Sequence, residues 1–549
     1  MKQASNLADF NSKVLPKAFI VLQFIIIVGT YLNARTKFIW FWAIFSFIPA
    51  SVICLISDEK RHVLPSLLLL FVSQHAIFIF AQPTWGYSFR HDSINDFHVA
   101  SIISENTHFE LGRVGYGSQS YSYYPLLHLF SVSLSKISGL PLIYAALYIV
   151  PVLNASFVSI LMYYLNFEFF GLRGRIRNIA TLLFAMGWYY TLFQSQFTRE
   201  VFAFPFALLS ILIAAKITKK SRREHGVMLP ILFAAVILSH HMSSYMLFVI
   251  LAIIALTLSI FHKNNRLNKH LLLIAIMLAS YVSFVTLSLF IQQATSIYDS
   301  VLVMFQAEKH VSVMKSYALP NFYLMTIYYV IIGIFTLLGG VTLLYERRKK
   351  KEIITPETVV TAFFLFVFLL CALMRASTQA GLLSWVYDMS LRGTIWAFIG
   401  LSFIMAIGFE RVMKLRSSTN LRNVFIMTLI FCILAAGKFA QYPIIISNST
   451  IVPDVTYSRY TAALWLREEA LHGSELLVAP YASDPKAFEA SRNMAPYAYL
   501  RQYFGDEGRY NRFNGYIPLI GGFFDQFNNL SSVNVVYNNG ETSIGYKGK

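Results

Sequence analysis

Charge is scarce in this 549-residue chain. Asp, Glu, Lys and Arg together make up 13% of it, where a soluble globular domain carries about 25%. That shortage, set against a 56% hydrophobic content, excludes an ordinary soluble fold and intrinsic disorder alike. Cysteine is nearly absent too. Cys54, Cys371 and Cys432 all lie inside apolar runs, so neither a disulfide framework nor a cysteine-based zinc cluster can be built. A Gly-rich phosphate loop, a Gly-x-Ser-x-Gly elbow and metal-type Cys/His spacing are missing. So are internal repeats, low-complexity linkers and the inverted repeats typical of secondary transporters.

What the chain has is long apolar, aromatic runs. Thirteen can be read, at about 17–34, 38–57, 63–83, 142–167, 177–194, 200–216, 226–241, 244–261, 270–291, 321–345, 357–374, 393–412 and 423–442. Each approaches the ~20 residues that cross a bilayer as helix. The expected fold is therefore an all-α polytopic membrane protein of about thirteen transmembrane helices. The first run is no cleavable signal, since a second follows at once without a small-residue cleavage site.

The net charge of +18 is a topology signal. With the N-terminus inside, 25 of the 45 Lys and Arg fall in seven short cytoplasmic segments, as the positive-inside rule requires. They include Lys60-Arg61, Arg173 to Arg177, Lys216 to Arg223, Lys263 to Lys269, Arg347 to Lys351 and Arg411 to Arg422. An odd number of spans then puts the C-terminus outside the cytoplasm, in a multi-pass protein of the cell membrane. Four regions outside are long: a large first loop at 84–141, then 292–320, 375–392 and the tail. Residues 1–442 form the transmembrane module and 443–549 a small external α/β domain. In the tail, helical spacing runs from Tyr457 to Leu471, and strand-like pieces cover Glu475 to Ala479 and Ser532 to Tyr537 before an Asn539-Gly540 turn. Asn448-Ser-Thr and Asn529-Leu-Ser have the form of external glycosylation acceptors.

Ionisable groups at the external ends of spans are functional candidates by default. The spans themselves read as apolar and aromatic, with no row of acids, which favours an enzyme at the external leaflet over a lined pore. The first loop carries Asp92, Asp96 and His98. On a helix beginning at Asp92, both carboxylates would share one face at i and i+4. Such a pair could hold a divalent cation, or one member could act as general base; helix capping is the simpler alternative for either. Tyr121-Ser-Tyr-Tyr-Pro125-Leu-Leu-His128 reads as re-entry toward the membrane, with Pro near a helix start. At the next external turn Arg199 could grip a phosphate, with Glu200 orienting it or ligating a metal; a structural Arg–Glu pair is the alternative. His240 and His241, about 100° apart on a helix, cannot easily share one metal, so one is a hydrogen-bond donor or both are interface packing. Arg375, Asp388 and Arg392 lie in the third loop beside Trp385 and Tyr387, placed to meet an anionic head group or to snorkel.

At these residues the chain resembles the GT-C superfamily of integral-membrane glycosyltransferases, which includes protein O-mannosyltransferases and the catalytic subunits of oligosaccharyltransferases. The resembling stretches are Arg90-His-Asp92-Ser-Ile-Asn-Asp96-Phe-His98, Tyr124-Pro125-Leu-Leu-His128-Leu-Phe-Ser with Ser138-Gly139-Leu140, and Ser239-His240-His241-Met-Ser-Ser244. Trp465-Leu-Arg-Glu and Val536-Tyr-Asn-Asn-Gly540 are similar to the external tail of archaeal members. The Trp-Trp-Asp-Tyr-Gly motif of oligosaccharyltransferases is missing, and in the first loop Asp92-Ser93 and Asp96-Phe97 stand where the Asp-Glu dipeptide of protein O-mannosyltransferases would be sought. The resemblance implies a sugar donor linked to a polyprenyl (dolichyl-type) phosphate and a glycan, lipid or protein acceptor outside the cytoplasm. It implies inversion, with Asp92 or Asp96 as base. Arg199, Arg375 or Arg392 would hold the donor phosphate, while His98, Glu200, His240, His241 and Asp388 would support them or contact the acceptor. A Mg or Mn ion held by Asp92, Asp96 and Glu200 is compatible with it. Nucleic acid is not an expected partner. The rival readings are a polysaccharide polymerase or ligase, and a flippase or transporter.

Overall fold

The computed structural model describes residues 14–32, 44–80, 91–106, 108–109, 123–187, 190–220, 222–305, 319–352, 354–379, 385–415, 421–440, 475–476, 515–520, 534–538 and 542–547. The chain divides into two compact units, one of residues 1–81, 150–195 and 199–447, the other of 82–149, 196–198 and 448–549. The first external loop thus groups with the C-terminal tail rather than with the spans.

The first unit is helical. Its elements are α1 (Leu15–Leu32), α2 (Phe47–Ile56) and α3 (Lys60–Phe80). After the second unit's α4 (His91–Asn106) and α5 (Leu126–Ser138) come α6 (Val150–Glu168), α7 (Gly174–Ala185), α8 (Arg199–Lys219), α9 (Arg223–Ser239) and α10 (His241–His262). The last are α11 (Asn268–Phe305), α12 (Leu319–Lys349), α13 (Pro356–Gln379), α14 (Trp385–Leu415) and α15 (Leu421–Ala440). Among the described residues, seven helices are long and apolar enough to cross a membrane: α6, α8, α10 and α14, with the apolar stretches of α11, α12 and α13. Apolar helices of 10–17 described residues fall in α1, α2, α5 and α15. The described residues of the apolar runs are helical almost throughout. The run at 177–194 is broken between α7 and a short helix, Tyr190–Gln194, and the run at 142–167 opens with a π turn, Ala145–Ile149.

Helices also run past the apolar runs. α11 has 38 residues, or roughly 57 Å at 1.5 Å per residue, against a hydrocarbon core of ~30 Å. Hydropathy marks bilayer thickness, whereas an α-helix satisfies its backbone internally and has no reason to stop at the interface. The expected third loop, 375–392, is therefore mostly helix: Arg375 is on α13, and Asp388 and Arg392 are on α14. Much of 292–320 is helix for the same reason.

Two helices form the centre of this unit. The apolar windows of α14 and α8 are 83% and 78% buried, against 11% for α11. α14 packs on α7, α12 and α13, and α8 on α6, α9 and α10. The α12–α14 crossing is set by glycine. A Cβ on Gly339 would collide with the Ile404 carbonyl, and one on Gly408 with the Phe335 carbonyl. This is close approach through small residues, the usual device where lipid removes any hydrophobic drive between helices. Next to it Phe335 stacks on Phe409 at 3.6 Å between ring centres, and Phe409 on Phe431 at 5.0 Å. Gly339→Ala and Gly408→Ala are each expected to destabilise by about 3 kcal/mol, the upper end of overpacking costs. Gly333→Ala, with nothing within 4 Å of its Cβ, should leave the melting temperature in detergent unchanged or raised.

In the second unit α4 packs on α5. Val99 and Ile103 form the buried contact, with Ile102, Phe109 and Val132 against them. Gly139, at φ 72°, ends α5 in the left-handed conformation that glycine adopts without strain. The tail contributes β1 (Glu475–Leu476), β2 (Gly515–Ile520), β3 (Asn534–Asn538) and β4 (Thr542–Lys547), in sheet order β1-β2-β4-β3. β1 is parallel to β2, and the other pairs are antiparallel. Asn538 faces Ser543, and a bulge lies between Val535 and Tyr537. The helix expected from Tyr457 to Leu471 and both glycosylation acceptors lie outside the described residues.

Candidate active site

Two clusters carry the chemistry, one in each unit. α4 begins at His91, so Asp92 is its second residue and Asp96 lies one turn further on. Asp96 is 1% exposed, and its Oδ1 lies 2.8 Å from His128 Nε2 on α5. His128 is itself fully buried. Pro125 precedes α5, its fixed φ suiting a helix start, and this sets His128 in the first turn. Capping does not describe Asp96, which sits in the helix interior with a histidine as partner. Phe97, the next residue, meets Phe197 edge-on at 6.4 Å. The side chains of Asp92 and His98 lie outside the described residues.

In the first unit, Arg199 and Glu200 open α8, and both are buried. Glu200 meets Arg392 of α14, Oε2 to Nη1, at 3.0 Å. The side-chain exposures are 6% for Glu200 and 25% for Arg392, so Glu200 is buried and Arg392 keeps some contact with solvent. Glu200 thus has a partner from another element: α14 brings Arg392 to α8's first turn. The side chains of Arg375 and Asp388 are outside the described residues.

His240 is the N-cap of α10. Its Nδ1 accepts from the Ser243 amide at 3.3 Å and lies 3.1 Å from Ser243 Oγ, while Ser244 Oγ donates to the His240 carbonyl at 2.8 Å. The Ser-His-His-x-Ser-Ser pattern is, locally, a helix-start device. His241 stacks obliquely on His240, ring centres 4.8 Å apart, and its ring meets Tyr245 at 6.3 Å.

Among the described residues no three His, Cys, Asp or Glu side chains gather in a metal-holding geometry. Two of the three expected ligands have partners, Asp96 with His128 and Glu200 with Arg392; the third is Asp92.

The spans are less uniformly apolar than expected. Gln23 bonds Ser66 through both amide atoms, at 2.9 and 2.7 Å, and Asn166 donates to Thr181 at 3.1 Å. Lys438, wholly buried, donates to Gln74 Oε1 at 2.6 Å and to the Ala185 carbonyl at 2.5 Å. Neither His128 nor Lys438 was a candidate from sequence. His128 lies in the resembling Tyr-Pro motif, which was the signal available. Lys438 is hidden in an apolar run.

No known family matches the chain, and no curated protein does. Among solved structures it is similar to ArnT from Cupriavidus metallidurans bound to undecaprenyl phosphate, at 9% identity and TM-score 0.47 over 87% of this chain and 97% of that one. It is also similar to the Archaeoglobus fulgidus oligosaccharyltransferase in its apo form, at 12% identity and TM-score 0.45 over 80% of this chain and 59% of that one. A third is oligosaccharyltransferase AglB from the same archaeon in complex with an inhibitory peptide and a dolichol-phosphate, at 14% identity and TM-score 0.41, covering 82% and 62%.

Proposed function

We propose that this chain is an integral-membrane glycosyltransferase that moves a sugar from a polyprenyl-phosphate donor to a hydroxyl-bearing acceptor on the extracytoplasmic face. The observation that carries the reading is the buried Asp96–His128 pair on the loop helix whose sequence resembles the acidic loop of such enzymes. A carboxylate held by a histidine N–H at 2.8 Å has a fixed orientation, which a general base needs. Burial strengthens its charge interactions and keeps competing water out.

In this reading the acceptor oxygen attacks the anomeric carbon, its proton passes to Asp96, and the bond from that carbon to the phosphate oxygen breaks. The electron pair stays on the phosphate, whose charge grows by one unit. One displacement inverts the anomeric centre. Arg392, oriented by its pair with Glu200, is assigned the positive charge that meets the leaving phosphate, with Arg199 of α8's first turn assisting. Such preorganised electrostatics is worth most in the transition state. Arg375 is assigned to the donor phosphate, and Asp92 to the role of an alternative base, on sequence alone. The mechanism routes no step through a metal.

The buried polar side chains within the spans are the one observation favouring a flippase. Gln23 with Ser66, Asn166 with Thr181 and Lys438 with Gln74 are bonded between helices, as interhelical glue would be. The deciding experiment uses purified protein in liposomes with labelled polyprenyl-phosphate sugars. Loss of sugar from the donor with inversion at the anomeric carbon is expected. Movement of intact labelled lipid between leaflets, with no sugar released, would sink the transferase reading.

A further inference from the structure

The segment joining α7 to α8 is short of reasons to sit where it does. Tyr190 and Gln194, on its small helix, are buried, and neither the Tyr190 hydroxyl nor either end of the Gln194 amide has a bonded partner among the described residues. Each such group costs about 1–3 kcal/mol of desolvation. Something else must hold the segment in place.

Three spans do. At its start, Lys438 of α15 donates to the Ala185 carbonyl at 2.5 Å, and the Tyr328 hydroxyl of α12 donates to the Met186 carbonyl at 2.9 Å. At its end, His75 of α3 bonds Ser195, Nδ1 to Oγ, at 2.8 Å. Between these points the Tyr190 ring lies against Phe184 at 4.9 Å, Phe71 at 5.4 Å and His75 at 5.9 Å. Lys438 also bonds Gln74, the residue before His75, at 2.6 Å. Lys438, His75 and Ser195 are all fully buried, and an ionisable residue at such depth in a span is expensive to keep. Four residues beyond Ser195, α8 opens with Arg199 and Glu200, and Glu200 carries the ion pair to Arg392.

We propose that Lys438 and His75 are positioning residues, which fasten this strap at both ends and so hold Arg199 and the Glu200–Arg392 pair in the register that transfer requires. The proposal rests on the transferase reading for its kinetic arm, and on the strap's own mobility for the other. A misplacement of ~1 Å in a group serving the transition state costs up to ~100-fold in rate. The loss falls on kcat, because the phosphate charge that Arg392 meets builds only as the sugar leaves.

The test compares native protein with Lys438→Met, His75→Phe and His75→Asn in nanodiscs. Asn offers an oxygen near where Nδ1 stood; Phe keeps the ring and loses the bond. Two quantities are read: hydrogen exchange of amides 190–198, and kcat and KM for the donor per folded molecule. His75→Phe and Lys438→Met are each expected to speed strap exchange and to lower kcat by about tenfold, with KM within about twofold. His75→Asn should restore both. Should Lys438→Met fail to fold, His75→Phe carries both arms. Unchanged strap exchange in His75→Phe would overturn the fastening. Faster exchange with unchanged kcat would reduce the strap to a purely structural feature and overturn the positioning role. Absence of sugar transfer by native protein would overturn the transferase reading itself, while the exchange arm still judges the fastening.

Discussion

Asp96→Asn lowers sugar transfer by about 10²–10⁴-fold, the range of a lost general base, in a protein that still folds. The amide oxygen keeps the size and the acceptor that His128 Nε2 meets at 2.8 Å, so α4 and α5 stay packed. What is lost is the capacity to take a proton. Donor KM should move little, since Asp96 acts on the acceptor. His128→Ala behaves differently: it leaves a carboxylate of 1% exposure without that donor, so stability falls along with turnover. Transfer by Asp96→Asn within about twofold of native would remove Asp96 from the chemistry, and Asp92→Asn would then become the informative variant. Both are read as sugar lost from labelled donor in liposomes.

Removing Arg392 alone is the second large effect. Glu200 is 6% exposed and its carboxylate sits 3.0 Å from the guanidinium. Breaking one side of such a pair costs about 3 kcal/mol, the low end of the buried range, because Arg392 keeps contact with solvent. Arg392→Gln should therefore lower the melting temperature more than the double variant Glu200→Gln/Arg392→Gln, in which no buried charge is stranded. Transfer follows the other rule: both should be slow, since neither keeps the Arg392 charge for the leaving phosphate. A double variant that recovers stability and also recovers turnover would assign the pair to folding and take phosphate stabilisation away from it. Melting curves and turnover of the two singles and the double complete the cycle.

Much of the helical plan was legible because it rests on one-dimensional signals. Apolar runs long enough for a bilayer must be helical to satisfy their own backbone, and the described residues of these runs are helical almost throughout. The partners were not legible. His128 lies 32 residues from Asp96, and its role depends on how α4 packs against α5, which no local pattern encodes. Capping was the natural reading of Asp96 because the helix start was uncertain; with α4 opening at His91, only Asp92 remains near that end. Arg392 was not legible as a partner of Glu200, because it comes from α14, far along the chain, and only helix packing brings the two together. The third loop dissolved into α13 and α14 because polarity ends before helix does. Lys438 was passed over for the opposite reason: one amine in a run of apolar residues barely shifts a windowed average, yet in three dimensions it touches two other helices.

That amine also fixes when the molecule can become complete. Lys438 is separated by 364 residues from Gln74 and by 253 from Ala185. At ribosomal rates of ~5–20 residues per second, roughly 20–70 s pass between synthesis of Gln74 and of its partner. Throughout that interval the acceptors on α3 and α7 have no Lys438 amine to meet, and nascent chains ending before α15 cannot close the strap. The fastening proposed for the strap is therefore made from the rear: the bond between these early helices and Lys438 waits for α15, which places strap closure among the last steps of assembly.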